Sequence, residues 1–262
     1  MVEITNRIAG AFAGIVLLVV LIWSPPGSIG AGAGAGSGGK EAIITIEGTT
    51  VTYRGPITEE NTQLFLDLVK GKNLKTLVIT SGGGDINTGM DMGRWIFENE
   101  VDVVVEGMCM SSCANYIFTA GKKKIIRPGA IVAWHGNALQ NGGDWEKSFL
   151  RSIQEAINGL PPKDREKVDT AKAMENAMEY IRECKRKQAA FFQEIGVDEY
   201  VCRVGNKEYG ARDFFILSVE DMERFGIKKI QAPDMYHNTD LSRFNREKPR
   251  SPVEYIKIDP TR

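Results

Sequence analysis

One stretch of the chain, residues 80–135, carries the residue types needed for nucleophilic chemistry. A short apolar run leads into three glycines (Gly82 to Gly84), a serine pair (Ser111 and Ser112) opens an apolar helical pattern, and His135 closes another apolar run. Nucleophilic serine catalysis needs a hydroxyl, a base that takes its proton, and N–H groups that face the developing oxyanion. All three kinds of group occur here, so the sequence predicts a hydrolytic serine site.

The histidine count, the cysteine spacing and the net charge limit which other kinds of site the chain could contain. The chain has only two histidines, so imidazole chemistry near neutral pH falls on His135 or on His237, and His237 lies in a polar stretch that predicts a surface position. No group of histidines and cysteines has the spacing of metal ligands, so we expect neither a metal nor another cofactor. A net charge of −1 argues against a nucleic-acid partner.

Alternating apolar runs and turns predict the scaffold that positions these residues. Buried strands are expected at 74–80, 101–106, 123–127 and 131–134, with helices at 58–69, 86–98 and 112–119, and a further strand is expected at 200–204. Strand, turn and helix at this spacing predict βαβ units and therefore an α/β fold with a mainly parallel sheet. Such sheets bind ligands beyond the carboxyl ends of their strands, where the glycine turn and the serine pair both fall.

The first 40 residues predict a segment for export or membrane tethering. Residues 1–24 include an apolar run of about 16 residues, somewhat short of the roughly 20 that usually span a bilayer. Trp23 and the two prolines that follow it favour an uncleaved transmembrane anchor, whereas small residues farther on offer cleavage sites for a signal peptide. A buried soluble helix is the third interpretation. Residues 25–40, rich in glycine and alanine, predict a flexible linker.

The remaining residues divide into a domain and a tail. Residues 41–232 predict a single α/β domain, within which the charged helical pattern at about 144–195 predicts an arm suited to oligomer contacts. Residues 233–262 are polar and contain several prolines, which predicts an extended C-terminal tail with a last strand at 255–258.

The order and spacing of these motifs resemble those of the ClpP/crotonase superfamily, which includes the Clp protease proteolytic subunit and the signal peptide peptidase A group. Residues 81–90 (SGGGDINTGM) resemble the family's glycine turn, with glycine where the family has proline. Residues 112–121 resemble its nucleophile helix, 128–135 the segment that ends in its histidine, and 218–227 a later helix. The resemblance covers roughly residues 41–232 and implies a ClpP-like fold, serine endopeptidase activity and a homo-oligomer.

By this resemblance Ser112 would be the nucleophile, His135 the general base, and the N–H groups of Gly83 and Cys113 the oxyanion hole. Counting back from the end of the helix favours Ser112 over its neighbour. If the helix begins one residue earlier, Ser111 is the nucleophile and the Ser112 N–H group is the donor. A nucleophilic Cys113 is less favoured than either serine.

The orienting acid departs from the family pattern. Its position by spacing falls on Gly210, which has no carboxylate. Asp213 and Glu208 lie nearby in sequence, and either could orient His135 if the loop runs differently. Without such an acid the site would be a dyad or would be inactive.

Four cysteines allow three pairings into two disulfides. Cys109 and Cys113 flank the serine pair, so a bridge between them would pin the turn. Cys184 and Cys202 could join the long helix to the segment that follows it. Four buried thiols are the alternative, and disulfides are permitted if the domain lies outside the cytoplasm.

The resulting prediction is a ClpP-like serine peptidase that cleaves peptides or proteins and is tethered as a single-pass protein to the cytoplasmic membrane. Its domain would face the periplasm or the cell exterior, or be secreted or periplasmic after signal cleavage. A catalytically inactive ClpP-fold protein with a binding or scaffolding role is the first alternative. A crotonase-type enzyme acting on acyl-CoA is the second, disfavoured because coenzyme A is cytosolic.

Overall fold

The computed structural model describes residues 41–139, 144–247 and 251–259. The predicted anchor (1–24) and linker (25–40) lie outside these residues. Within the described ranges, no helix combines the length and the apolar character needed to cross a bilayer.

Two sheets form the β-structure of the described chain. The strands are β1 (Ile43–Glu47), β2 (Thr50–Arg54), β3 (Thr76–Ser81), β4 (Asp102–Met110), β5 (Lys124–Ile126), β6 (Ile131–Ala133), β7 (Phe214–Ile216), β8 (Ile230–Gln231) and β9 (Val253–Tyr255). The larger sheet has the order β1-β2-β3-β4-β5-β8, with β6 paired to β4, and every pairing except β1–β2 is parallel. Strands β7 and β9 form a separate parallel pair. The predicted α/β fold with a mainly parallel sheet is confirmed.

The helices fill the connections between the strands. They are α1 (Glu59–Val69), α2 (Ile86–Glu98), α3 (Cys113–Phe118), α4 (Asp144–Gly159), α5 (Pro162–Arg165), α6 (Thr170–Ile195), α7 (Val204–Glu208), α8 (Val219–Arg224) and α9 (Ser242–Glu247). Helix α3 has π-type turns, a rare form that is enriched at functional sites. Helices α1 and α2 begin where Thr58 and Asp85 accept hydrogen bonds from backbone N–H groups three residues on, at 3.2 and 2.8 Å.

The described chain divides into two compact units. One comprises residues 144–183, where α4 and the first half of α6 bury a small apolar cluster that includes Phe149, Ile153 and Ile181. These helices occupy the range predicted for a helical arm. The other unit comprises residues 41–139 and everything described from Cys184 onward, and it contains both sheets.

Two segments differ from the sequence-based expectation. Residues 199–202 form a 3-10 turn and lead into α7, so the strand expected at 200–204 is wrong; the Asp198 side chain caps this turn by accepting from Tyr200 N at 2.9 Å. Apolar residues alone could not separate these forms, because a short buried run fits either.

The C-terminal segment is also less extended than predicted. It contains α9 and β9, and β9 covers residues 253–255 where a strand at 255–258 was expected. Phe244 and Val253 pack into the cluster that includes Phe214 and Ile216, and Asn245 exchanges two hydrogen bonds with Val253, at 2.7 and 3.2 Å. Burial of these side chains holds the segment against β7.

Candidate active site

The candidate site lies beyond the carboxyl ends of three neighbouring strands. Gly82 to Gly84 follow β3, Ser111 follows β4, and His135 lies two residues after β6. Because β3, β4 and β6 are paired in parallel, these three segments meet at one edge of the sheet. The structure therefore brings together the motifs that the sequence singled out.

A sharp turn at Ser111 places its half-buried side chain at the end of β4. Ser111 has a φ of 55°, in the left-handed region that non-glycine residues seldom adopt. Its N–H group donates to Ala133 O at 3.0 Å, which continues the β4–β6 pairing, and its carbonyl accepts from Asn115 N at 2.8 Å, which begins the helix. A serine held at such a strand-to-helix turn projects its hydroxyl away from the sheet.

The hydroxyl of Ser111 contacts the predicted base. Ser111 Oγ lies 2.7 Å from His135 Nε2, within hydrogen-bonding distance. The hydrogen bond from Ser111 N to Ala133 O aligns the two segments. His135 lies two residues after Ala133, so this alignment brings its side chain near Ser111. The imidazole also stacks on the Phe214 ring, with centroids 4.2 Å apart and planes 19° from parallel.

A carboxylate lies at the other nitrogen of the imidazole. Asp213 Oδ1 is 3.3 Å from His135 Nδ1, and both side chains are about one quarter exposed, at 26% and 25%. Glu208, the other acid considered from the sequence, accepts a hydrogen bond from Tyr200 Oη at 2.5 Å and is exposed. Serine, histidine and aspartate thus stand in the order and contacts of a catalytic triad.

Ser112, the first choice from the sequence, has a different set of contacts. Its side chain points inward, is only 2% exposed, and donates to Gly84 O at 2.7 Å. Its backbone is right-handed, with φ −56° and ψ −29°. The hydroxyl of Ser112 therefore ties the helix start to the glycine turn, while the hydroxyl of Ser111 meets His135.

Gly83 lies directly against the serine turn. A Cβ atom on Gly83 would stand 2.5 Å from Met110 O, 2.6 Å from Ser111 Cβ and 2.9 Å from Ser112 N, so a side chain is excluded there. Gly83 also has a φ of 91°, which glycine adopts without strain. In this structure its N–H group donates to Ser81 Oγ at 3.1 Å. Gly83, the oxyanion donor expected from the sequence, therefore lies beside Ser111, but its N–H group is directed at the neighbouring Ser81 hydroxyl.

The N–H groups at the start of α3 are the other candidate donors. Ser112 and Cys113 occupy the first positions of the helix, where backbone N–H groups have no intrahelical acceptor. Because Ser111 is the serine that contacts His135, the N–H group of the residue after it, Ser112, becomes the candidate donor. The N–H group of Cys113 would have this place only if Ser112 contacted His135.

A disulfide encloses the serine turn. Cys109 in β4 is bonded to Cys113 at the start of α3, and both side chains are fully buried. The bridge, one of the two considered from the sequence, spans Ser111 and fixes the strand relative to the helix.

The second disulfide considered from the sequence does not form. Cys184 and Cys202 are both buried thiols. Burial, aided by nearby Glu199, raises the pKa of the Cys202 thiol well above its ordinary value of 9.0. That thiol therefore stays protonated near neutral pH and is a poor nucleophile.

Two positioning features were missed in the sequence. Trp134 and Phe215 exchange backbone hydrogen bonds of 2.9 and 2.8 Å, and this antiparallel bridge sets the Asp213 segment beside the histidine. Asn206 Nδ2 donates to Asp213 O at 2.7 Å and fixes the turn before β7. The apolar triplet at 214–216 was the available signal for a strand, with Asp213 immediately before it.

No set of three or more histidine, cysteine, aspartate or glutamate side chains within the described ranges is arranged to hold a metal ion. Comparison of the chain with models of known protein families gives no match, and comparison with curated proteins gives none either.

Proposed function

We propose that this protein is a serine hydrolase of the peptidase type, in which Ser111 is the nucleophile, His135 the general base and Asp213 the orienting acid. The observation that carries the proposal is the pair of contacts on one imidazole, 2.7 Å from Nε2 to Ser111 Oγ and 3.3 Å from Nδ1 to Asp213 Oδ1. Relative to the sequence-based prediction, the nucleophile moves by one residue, from Ser112 to Ser111.

In the proposed reaction Ser111 Oγ attacks the carbonyl carbon of the scissile amide while His135 Nε2 takes the hydroxyl proton. The Nδ1–H group donates to Asp213, whose carboxylate stabilises the imidazolium. The C–N bond then breaks as Nε2 returns the proton to the leaving amine. Water, deprotonated by the same nitrogen, hydrolyses the acyl-enzyme and regenerates the Ser111 hydroxyl.

The oxyanion of the tetrahedral intermediate needs N–H donors beside Ser111. The amide of Ser112 is the first, because it belongs to the residue after the nucleophile at a helix start. Gly83 N–H is the second, and it would exchange its contact with Ser81 Oγ for the oxyanion. Each such donor is worth about a hundredfold in rate or more.

The substrate class and location in the proposal come from the resemblance to ClpP-like enzymes and from the disulfide. A serine–histidine pair suits acyl transfer in general, and the resemblance favours peptides or proteins as substrates and a homo-oligomeric enzyme. The Cys109–Cys113 bridge supports a periplasmic or extracellular location, because disulfides persist in oxidising compartments. Tethering by residues 1–24 to the cytoplasmic membrane completes the proposal.

A binding protein without catalysis is the second candidate, and the engagement of Gly83 N–H by Ser81 Oγ favours it. If that contact persists with substrate bound, one oxyanion donor is missing and the site binds carbonyl groups without cleaving them.

A fluorophosphonate probe distinguishes the two candidates. The full-length chain in detergent should be labelled, the label should map to Ser111, and Ser111→Ala should abolish it. Ser112→Ala is the matched control: it removes an adjacent hydroxyl that bonds to Gly84 O, and it should keep the label. Labelling lost in Ser112→Ala but kept in Ser111→Ala would instead identify Ser112 as the nucleophile. A folded, unlabelled wild type would favour the binding protein.

A further inference from the structure

A second concave site lies at the opposite edge of the sheet from Ser111. It is a cavity of about 320 Å³, which falls in the range of small-molecule sites, and its walls include Phe97, Glu100 and Val197. It is built from the segments around the amino-terminal ends of β4, β5 and β8, whereas Ser111 follows the carboxyl end of β4. The two sites are therefore separated by the length of one strand.

The lining of this cavity, which we call the lysine pocket, is strongly basic. Lys122, Lys124, Lys228 and Lys229 line it, and Glu100 is the single carboxylate among its described lining residues. That carboxylate is already engaged, because Glu100 Oε1 lies 3.4 Å from Lys122 Nζ. The remaining lysines leave the pocket with an excess of positive charge.

Lys124 is the unusual member of the set. It is only 7% exposed, whereas the other three lysines are on the surface. No carboxylate of the described residues lies within 4.0 Å of its ammonium group. Buried charges in proteins are normally paired or bind a ligand, because an isolated ion loses its hydration without compensation.

The charge on Lys124 is destabilised where it stands. Burial, together with neighbouring Lys229, lowers the pKa of Lys124 from 10.5 to about 8. A multivalent anion in the pocket would offset both causes at once, since it would supply hydrogen-bond acceptors to the Lys124 ammonium group and would neutralise the charge of Lys229.

We propose that the lysine pocket is a binding site for a small molecule that carries a phosphate or polyphosphate group, held by Lys124 at the base and by Lys228 and Lys229 at the mouth. Three cations around one cavity favour a multivalent anion over a single carboxylate, and apolar Phe97 and Val197 beside them accommodate a non-phosphate portion. The proposal is independent of the serine site.

Pyrophosphate is the probe for the test. We expect calorimetric titration of the full-length chain in detergent, at constant ionic strength, to show saturable binding at one site. Lys124→Met, which keeps the length of the side chain without its charge, should weaken binding by about tenfold or more. Ser111→Ala should bind as the wild type does, so a failed serine mechanism leaves this result unaffected.

Lys123→Met is the matched control, because Lys123 is exposed, adjacent in sequence and not part of the pocket wall. It should change affinity by less than about twofold, as expected for one surface charge screened by salt. Equal losses in Lys123→Met and Lys124→Met would mean general attraction to basic surface and would overturn the proposal. So would affinity retained in Lys124→Met, or the absence of saturable binding.

Lys229→Met is a second test of the pocket that does not depend on whether Lys124→Met folds. Lys229 is exposed, so its replacement does not threaten the core, and loss of its charge at the mouth should also weaken pyrophosphate binding several-fold. Unchanged affinity in a folded Lys229→Met variant would count against the pocket as strongly as the same result for Lys124.

Discussion

Backbone strain at Ser111 provides a direct test of the turn on which the candidate site depends. Ser111 holds a φ of 55°, whereas Ser112 beside it has a φ of −56°. A left-handed non-glycine residue costs about 1–2 kcal/mol, while glycine adopts this region freely. Glycine also loses about 0.5–1 kcal/mol through its greater freedom in the unfolded chain. The difference predicts that Ser111→Gly is about 0.5–1 kcal/mol more stable than Ser111→Ala.

The same pair of substitutions at Ser112 should give the opposite sign. Both Ser112→Ala and Ser112→Gly lose the hydroxyl that donates to Gly84 O, so the comparison between them isolates the backbone. In a right-handed helical position glycine is about 1 kcal/mol less stable than alanine.

Urea unfolding of the four variants, followed by tryptophan fluorescence, measures these differences as shifts in midpoint at constant slope. If Ser111→Gly is no more stable than Ser111→Ala, or if both positions show the same sign, the left-handed turn does not exist in solution. The contact of Ser111 with His135 would then lose its structural basis. Catalysis by Ser111→Gly would contradict the mechanism even if the stability result agreed.

Four further predictions follow from the contacts. Asp213→Asn should lower kcat on a peptide or ester substrate by about a hundredfold or more with little change in KM, because the amide cannot support the imidazolium. Replacing Cys109 and Cys113 together by serine should lower stability by about 2 kcal/mol, the chain-entropy value for so short a loop, measured by urea unfolding. Gly83→Ala should prevent native folding as judged by near-ultraviolet circular dichroism, because its Cβ would lie 2.5 Å from a backbone carbonyl oxygen. Lys124→Met should raise the unfolding free energy at pH 7 by roughly 3 kcal/mol at most. Since the folded-state pKa is lowered to about 8 from 10.5, this gain should be complete below pH 8 and should vanish as the pH rises toward 10.5.

Much of the scaffold could be predicted because buried parallel strands have a simple sequence pattern. Strands covered on both faces read as short continuous apolar runs, and β4 follows that rule at Val103 to Val105. Strand β3 was also expected to be buried on both faces, but its residues alternate between buried and half-buried positions, so only one of its faces is fully covered. The turn at the three glycines could also be predicted from their type. The structure gives the physical reason for Gly83, because a Cβ atom there would collide with the serine turn. His135 was identifiable because the chain has one other histidine, outside the motif region.

The choice between the two serines could not be made from their types. Ser111 and Ser112 have identical side chains. A shift of one residue in the pairing of β4 would decide which of them adopts the left-handed backbone conformation. That register depends on the hydrogen bond from Ser111 N to Ala133 O, which joins residues distant in sequence. Neither residue propensity nor helical periodicity reports such a pairing.

The candidate for the orienting acid could not be chosen from the sequence for a similar reason. Asp213 precedes a strand of only three residues, whose partners are β9 and the isolated bridge to Trp134. Strand propensity at this length is weak without knowledge of the partner strand. Spacing pointed to Gly210, three residues before Asp213, and Asn206 holds the turn between them by donating to Ala211 O and Asp213 O.

Each member of the candidate triad is therefore positioned by backbone pairing between distant segments, with side-chain packing in a supporting role. Ser111 depends on the contact between β4 and β6, and Asp213 depends on the bridge between Trp134 and Phe215. The Cys109–Cys113 bridge adds a covalent restraint across Ser111, whose backbone is strained. Strained residues persist only where the surroundings over-determine them. The disulfide, the close packing at Gly83 and the inward hydroxyl of Ser112 are the surroundings that fix this turn. They hold the Ser111 hydroxyl against His135 in a backbone conformation that an isolated serine would avoid.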